Sequence, residues 1–82
     1  MKIIVMHKNN RPFFIEIDGN KTILELKKEI AKYFNETYTG FNILNGNEII
    51  DSSENEKTIN ECGIKRLIRL ADDYWPGFHY IL

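Results

Sequence analysis

The chain is poor in the features that would commit it to covalent or metal chemistry. It has one cysteine, Cys62, so no internal disulfide can form, and a reducing compartment fits. Its two histidines, His7 and His79, lie far apart and have no metal-ligand spacing with Cys62. There is no glycine-rich phosphate loop and no nucleophile motif. Nothing points to a cofactor or a catalytic residue, so the expectation is a non-enzyme. A lone cysteine ahead of an apolar position reads as a small core filler. No apolar run approaches the roughly 18–20 residues a membrane span needs. The N-terminus has no signal-peptide shape. Neither sign of charge dominates: the net charge is −1. A nucleic-acid binder usually carries a basic surplus, so nucleic acid is not expected as a partner. These absences leave the expectation of a soluble protein of the cytoplasm, with the nucleus also open.

What is present suits one small domain of 82 residues. The stretch 22–34, TILELKKEIAKYF, is a long amphipathic helix by its spacing. Ile23, Leu26, Ile30 and Phe34 form a helix-period stripe with Tyr33 beside it. Thr22 and Glu25 have capping-box spacing. Glu25–Lys28 and Glu29–Lys32 are placed to pair on the wet side. Asn35 suits a left-handed stop.

Strands surround this helix. Residues 1–7, MKIIVMH, put Met1, Ile3 and Val5 on one face and Lys2, Ile4 and Met6 on the other. Lys8-Asn9-Asn10-Arg11 is a polar turn, and Pro12 belongs at a strand start or on an edge. Residues 13–18 alternate, with Phe13, Ile15 and Ile17 facing one way and Phe14, Glu16 and Asp18 the other. The hairpin so formed offers Ile3, Val5, Phe13, Ile15 and Ile17 to a core. Gly19-Asn20 breaks the strand before the helix. A second hairpin follows a loop at 36–40: strand 41–44, a tight turn at Asn45-Gly46, and a return at 48–50. Residues 51–57 read as a polar loop. Thr58 and Glu61 repeat the capping-box spacing and suit a single helical turn ended by Gly63. Ile64 is expected inside, and 67–71 is the last strand. The fold class is therefore α+β: one helix across one face of a small mixed sheet.

In these residues the chain resembles ubiquitin and its relatives. The likeness runs from Met1 to about Ala71, through MKIIVMH, PFFIEID, TILELKKEI, NGNEIID and TINECGI. It implies a β-grasp, in which a mixed sheet with parallel first and last strands at its centre grips one helix. It also implies a domain over 1–72 and a tail over 73–82. Segment 51–57 is longer than its counterpart in the family, and the stretch between Ile64 and Leu67 is shorter.

Function separates the chain from ubiquitin. Modifiers of this type end in an exposed pair of glycines. Here the tail glycine is Gly77, after Pro76, and no Gly-Gly occurs. The positions of chain-forming lysines hold Met6, Arg11, Glu29, Tyr33 and Glu48. Lys27 is retained, and it reads as a packed stem whose ammonium is tied to a carboxylate. The leading expectation is a non-covalent protein-interaction module, like ubiquitin-like adaptors or the small ubiquitin-like subunits of bacterial secretion systems. The alternative is a covalent modifier, or a sulfur carrier, with a processed or atypical terminus.

By this resemblance the binding surface is the sheet face turned away from the helix. Ile4, Met6, Phe14, Leu44, and Leu67 or Arg69 belong there. Leu44 takes the place of the central isoleucine of the family's apolar patch, and Lys8 that of its loop leucine. The tail adds Tyr74, Trp75, Phe78, Tyr80, Ile81 and Leu82, residues suited to anchoring an interface. Trp75 and Phe78 join the candidate site. Three readings of the tail stay open: it folds back on its own domain, it docks on another chain such as a second copy, or it begins a longer protein. It lacks the flanking basic residues of a membrane-surface segment.

Overall fold

The computed structural model describes residues 1–7, 10–37 and 39–71. The tail from 73 to 82, with Trp75 and Phe78, lies outside them. Five strands and one helix follow in order: β1 (Lys2–His7), β2 (Asn10–Glu16), α1 (Ile23–Tyr33), β3 (Ile43–Asn45), β4 (Glu48–Ile50) and β5 (Leu67–Leu70). The sheet order is β2-β1-β5-β3-β4, so the chain's first and last strands are neighbours near the middle. They run parallel, with Val5 opposite Ile68, and the other pairings are antiparallel.

Alternation sorts the sheet into two faces. Ile3, Val5, Phe13, Ile15, Ile43, Ile50, Ile68 and Leu70 are buried and join Ile23, Leu26, Ile30 and Ala31 of α1 in one core. Ile17 is only half-buried at its rim. Phe41 is buried too, but it precedes the ladder, so β3 starts two residues later than its apolar pattern suggests.

The helix ends are fixed locally. The Thr22 side chain accepts from the Glu25 N–H at 3.1 Å, and a Glu25 carboxylate oxygen accepts from the Thr22 N–H at 3.0 Å. With Glu25 occupied there, its ion-pair partner is Lys21 at 3.8 Å rather than Lys28, while Glu29–Lys32 forms at 3.3 Å. At the other end Asn35 takes φ 59°. The Asn35 N–H donates to Lys32 C=O and the Glu36 N–H to Ala31 C=O, the paired bonds of a Schellman stop.

The segment after β4 holds the start of the helix. Residues 51–57 are not a plain loop: Asp51 caps a short 3-10 turn at Ser52–Glu54. Ile23 N–H donates to Lys57 C=O, Leu24 N–H to Asn55 C=O, and Ile59 N–H to Lys21 C=O. Asn60 N–H donates to Gly19 C=O, and the Asn60 side chain lies against Gly19, so a Cβ there would oblige that exposed side chain to move. The Thr58–Glu61 box forms as spaced, and one turn closes from Cys62 N–H to Thr58 C=O before Gly63 turns left-handed at φ 61°.

Further expectations need correction. β2 begins at Asn10, inside the stretch read as a polar turn. The tight turn is Gly46-Asn47, one residue later than Asn45-Gly46, with Gly46 at φ 67°. Asn45 stays in β3 because its buried amide donates to Gly63 C=O at 3.1 Å and accepts from Lys65 N–H at 2.9 Å. Lys27 is fully buried, but its ammonium donates to the Asn55 amide oxygen at 2.8 Å rather than pairing with a carboxylate. Burial pushes the Lys27 pKa down, and the charge of Asp51 acts against that at longer range.

Candidate interaction surface

The face opposite α1 is built by register. Strands lie about 4.8 Å apart, so side chains on matched positions form rows across them. Phe14 pairs with Ile4, and Ile4 with Leu67. That row crosses β2, β1 and β5. One step along, Met6 pairs with Arg69, Arg69 with Leu44, and Leu44 with Ile49. That row crosses β1, β5, β3 and β4. Phe14 is 61% exposed, Ile49 58%, Leu67 46% and Ile4 39%, while Met6 and Leu44 are half-buried.

The structure thus brings Ile4, Met6, Phe14, Leu44 and Leu67 together on one surface and sets the exposed Arg69 among them. Trp75 and Phe78 lie outside the described residues. Ile49 is a member that the sequence reading did not single out. Its place depends on the turn. With Gly46-Asn47 as the loop, position 49 falls opposite 44, and a one-residue slip would send it to the other face. The pair of isoleucines at 49 and 50 was the available signal, because only one of them can face inward.

The charges on this surface are sparse. The Lys2 ammonium lies 4.6 Å from the centre of the Phe14 ring, an arrangement favoured by the ring's negative face. Glu16, opposite Lys2 in register, is held by the Met1 ammonium at 3.3 Å. Arg66 lies at the rim beside Met1, Lys2 and Ile4.

Elsewhere the reactive groups are tied into the fold. Cys62 is half-buried against the core, and its thiol sits 3.7 Å from a Glu54 carboxylate oxygen. Burial and that carboxylate push its pKa up, away from the thiolate form. His7 is buried, its ring edge-on to Phe34 at 5.6 Å. Phe13 stacks on Tyr33 at 3.7 Å and meets Phe34 edge-on, which closes the core at the end of α1. Among the described residues no group of three or more His, Cys, Asp or Glu is placed to hold a metal ion. No helix among them is long and apolar enough to cross a membrane.

Among solved structures, the ubl5 domain from the polyubiquitin locus of T. thermophila is similar to this chain, with a TM-score of 0.73 over 89% of this chain and 93% of that one. The fold is the ubiquitin-like β-grasp. Sequence identity across this ubiquitin-like match is 17%, so the likeness is one of fold. No protein-family profile and no curated protein matches the chain.

Proposed function

We propose that this ubiquitin-like domain is a protein-interaction module that holds a partner non-covalently against its outer sheet face, without catalysis. The observation that carries the reading is the pair of cross-strand rows, Phe14–Ile4–Leu67 and Met6–Arg69–Leu44–Ile49. Contiguous exposed apolar surface costs solubility and usually marks a contact site. Phe14 and Arg69 are residue types that carry interface energy. A protein partner fits better than nucleic acid, since a net charge of −1 offers phosphates little. It fits better than a membrane, since the cations on this face are few. The aromatic segment 74–82 is a second contact element in this reading, and self-association through it is one form it takes. The cytoplasm, or the nucleus, is the proposed setting.

The rival reading, a covalent modifier or sulfur carrier, is separated by mass. The chain recovered from its own cells should have a mass matching an unattached polypeptide. Recovery joined through its carboxylate to an amine or sulfur of another molecule would falsify the proposal.

A further inference from the structure

We infer that Lys2 and Arg66 form a carboxylate subsite at one end of the outer face, so that the partner segment held there carries an Asp or Glu beside apolar residues. This rests on the reading of that face as a contact surface, and it names the chemistry of what binds.

Topology makes the subsite. β1 and β5 are parallel neighbours, so both begin at the same end of the sheet. Lys2 opens β1 on the outward side, two residues before Ile4, and Arg66 immediately precedes β5. The Ile4 N–H donates to Arg66 C=O at 2.6 Å, which ties the Arg66 backbone to β1. With Met1 and Ile4 the two cations line a recess of about 340 Å³. Ile4 belongs both to this recess and to the Phe14–Ile4–Leu67 row, so charge and apolar surface are continuous. The Lys2 ammonium, 4.6 Å from the centre of the exposed Phe14 ring, joins them again on the β2 side.

The charges on this face are few but unmatched. Lys2, Arg66 and Arg69 are exposed, and among the described residues none of them pairs with a carboxylate. Glu16 stands opposite Lys2 in register, but the Met1 ammonium holds it at 3.3 Å. By contrast Lys21, Lys32 and Lys57, on and beside α1, have glutamates at 3.8, 3.3 and 2.9 Å.

A planar guanidinium takes a carboxylate through two parallel hydrogen bonds. A peptide laid across Ile4 and Leu67 would shield that pair from water, and opposite charges attract more strongly there than in bulk solvent. The Ile4 side of the recess offers no donor. That suits a carboxylate, with its carbon stem, better than a phosphate, which needs donors around it.

Random linear peptides displayed on phage and selected on the immobilised full chain test this. The enriched sequences should place Asp or Glu beside apolar or aromatic residues. Selection on Arg66→Glu, shown folded by circular dichroism, should replace those acids with Lys or Arg. A synthetic peptide from the parent selection should bind Arg66→Gln about tenfold more weakly. It should also weaken on Lys2→Gln and with added salt, and bind Lys32→Gln as it binds the parent. No enrichment over a bare support, enrichment without acidic residues, or the same acidic residues on Arg66→Glu would overturn the inference. Apolar peptides without acids that are lost on Phe14→Ser would sink this subsite and leave the contact-face reading standing. Peptides indifferent to both Arg66→Glu and Phe14→Ser would count against both.

Discussion

Lys27 shows what a single residue does in this fold. Its stem lies in the core with no exposed surface, and its ammonium has an amide oxygen, not a carboxylate, at 2.8 Å. A buried charge with a neutral partner stabilises little, because desolvation offsets the bond. Lys27→Met keeps the volume and removes the charge, so it should be near neutral or stabilising. Lys27→Ala should cost about 2–4 kcal/mol through the void it leaves. The pH dependence has a definite sign. Burial lowers the folded pKa below the ordinary 10.5, so in that window the unfolded chain binds more protons. The parent's stability relative to Lys27→Met should therefore rise as pH climbs from the folded value toward 10.5. Denaturant titrations of the three proteins at several pH values check this. The burial was legible from the position of Lys27 beside the helix stripe. Its partner was not, because Asn55 lies in a segment whose composition reads as solvated, and only the 3-10 turn brings it under the helix.

Elements in this molecule are set by short-range signals wherever both partners are near in sequence. The two capping boxes were legible for that reason, since Thr22 with Glu25 and Thr58 with Glu61 need only a three-residue spacing. Thr22→Ala should cost about 1 kcal/mol. Bonds from the threonines hold the Glu25 and Glu61 carboxyls below the ordinary 4.5. Their stabilisation is present above that value and lost as pH falls through the folded values. Glu25→Gln, which removes the titrating carboxyl, should accordingly flatten the acid side of the stability profile, read by thermal melts between neutral and acid pH. The helix stop follows the same logic: Asn35→Ala at φ 59° should lower stability by about 1 kcal/mol, and Asn35→Gly should not. The second hairpin turn behaves differently. Asn45-Gly46 has the composition of a turn, yet Asn45 is claimed by Gly63 and Lys65, eighteen and twenty residues away. A local reading has no access to those partners.

At the scale of the whole molecule, two layers leave one sheet face without a neighbour among the described residues. The alternation that fills the core with Ile3, Val5, Ile43, Ile50 and Ile68 necessarily turns Ile4, Leu44, Ile49 and Leu67 outward. Adjacent isoleucines should then behave very differently. Ile50→Ala should cost about 2–4 kcal/mol as a core truncation, and Ile49→Ala less than about 1, as equilibrium unfolding would show. The order of elements and the core were legible because apolar periodicity and turn residues agreed along the chain. The full outline of the outer face was not, because its membership depends on cross-strand register, which Ile49 illustrates.

The central claim is that this face meets another protein. It is tested most directly by placing the photo-crosslinking residue benzoyl-phenylalanine at position 14 or, as the control on the helix side, at 33, in the full chain within its own cells. The account predicts a discrete adduct with a different protein from position 14 and none from position 33. Illumination that yields no intermolecular adduct at 14, or the same adducts at both positions, would contradict it.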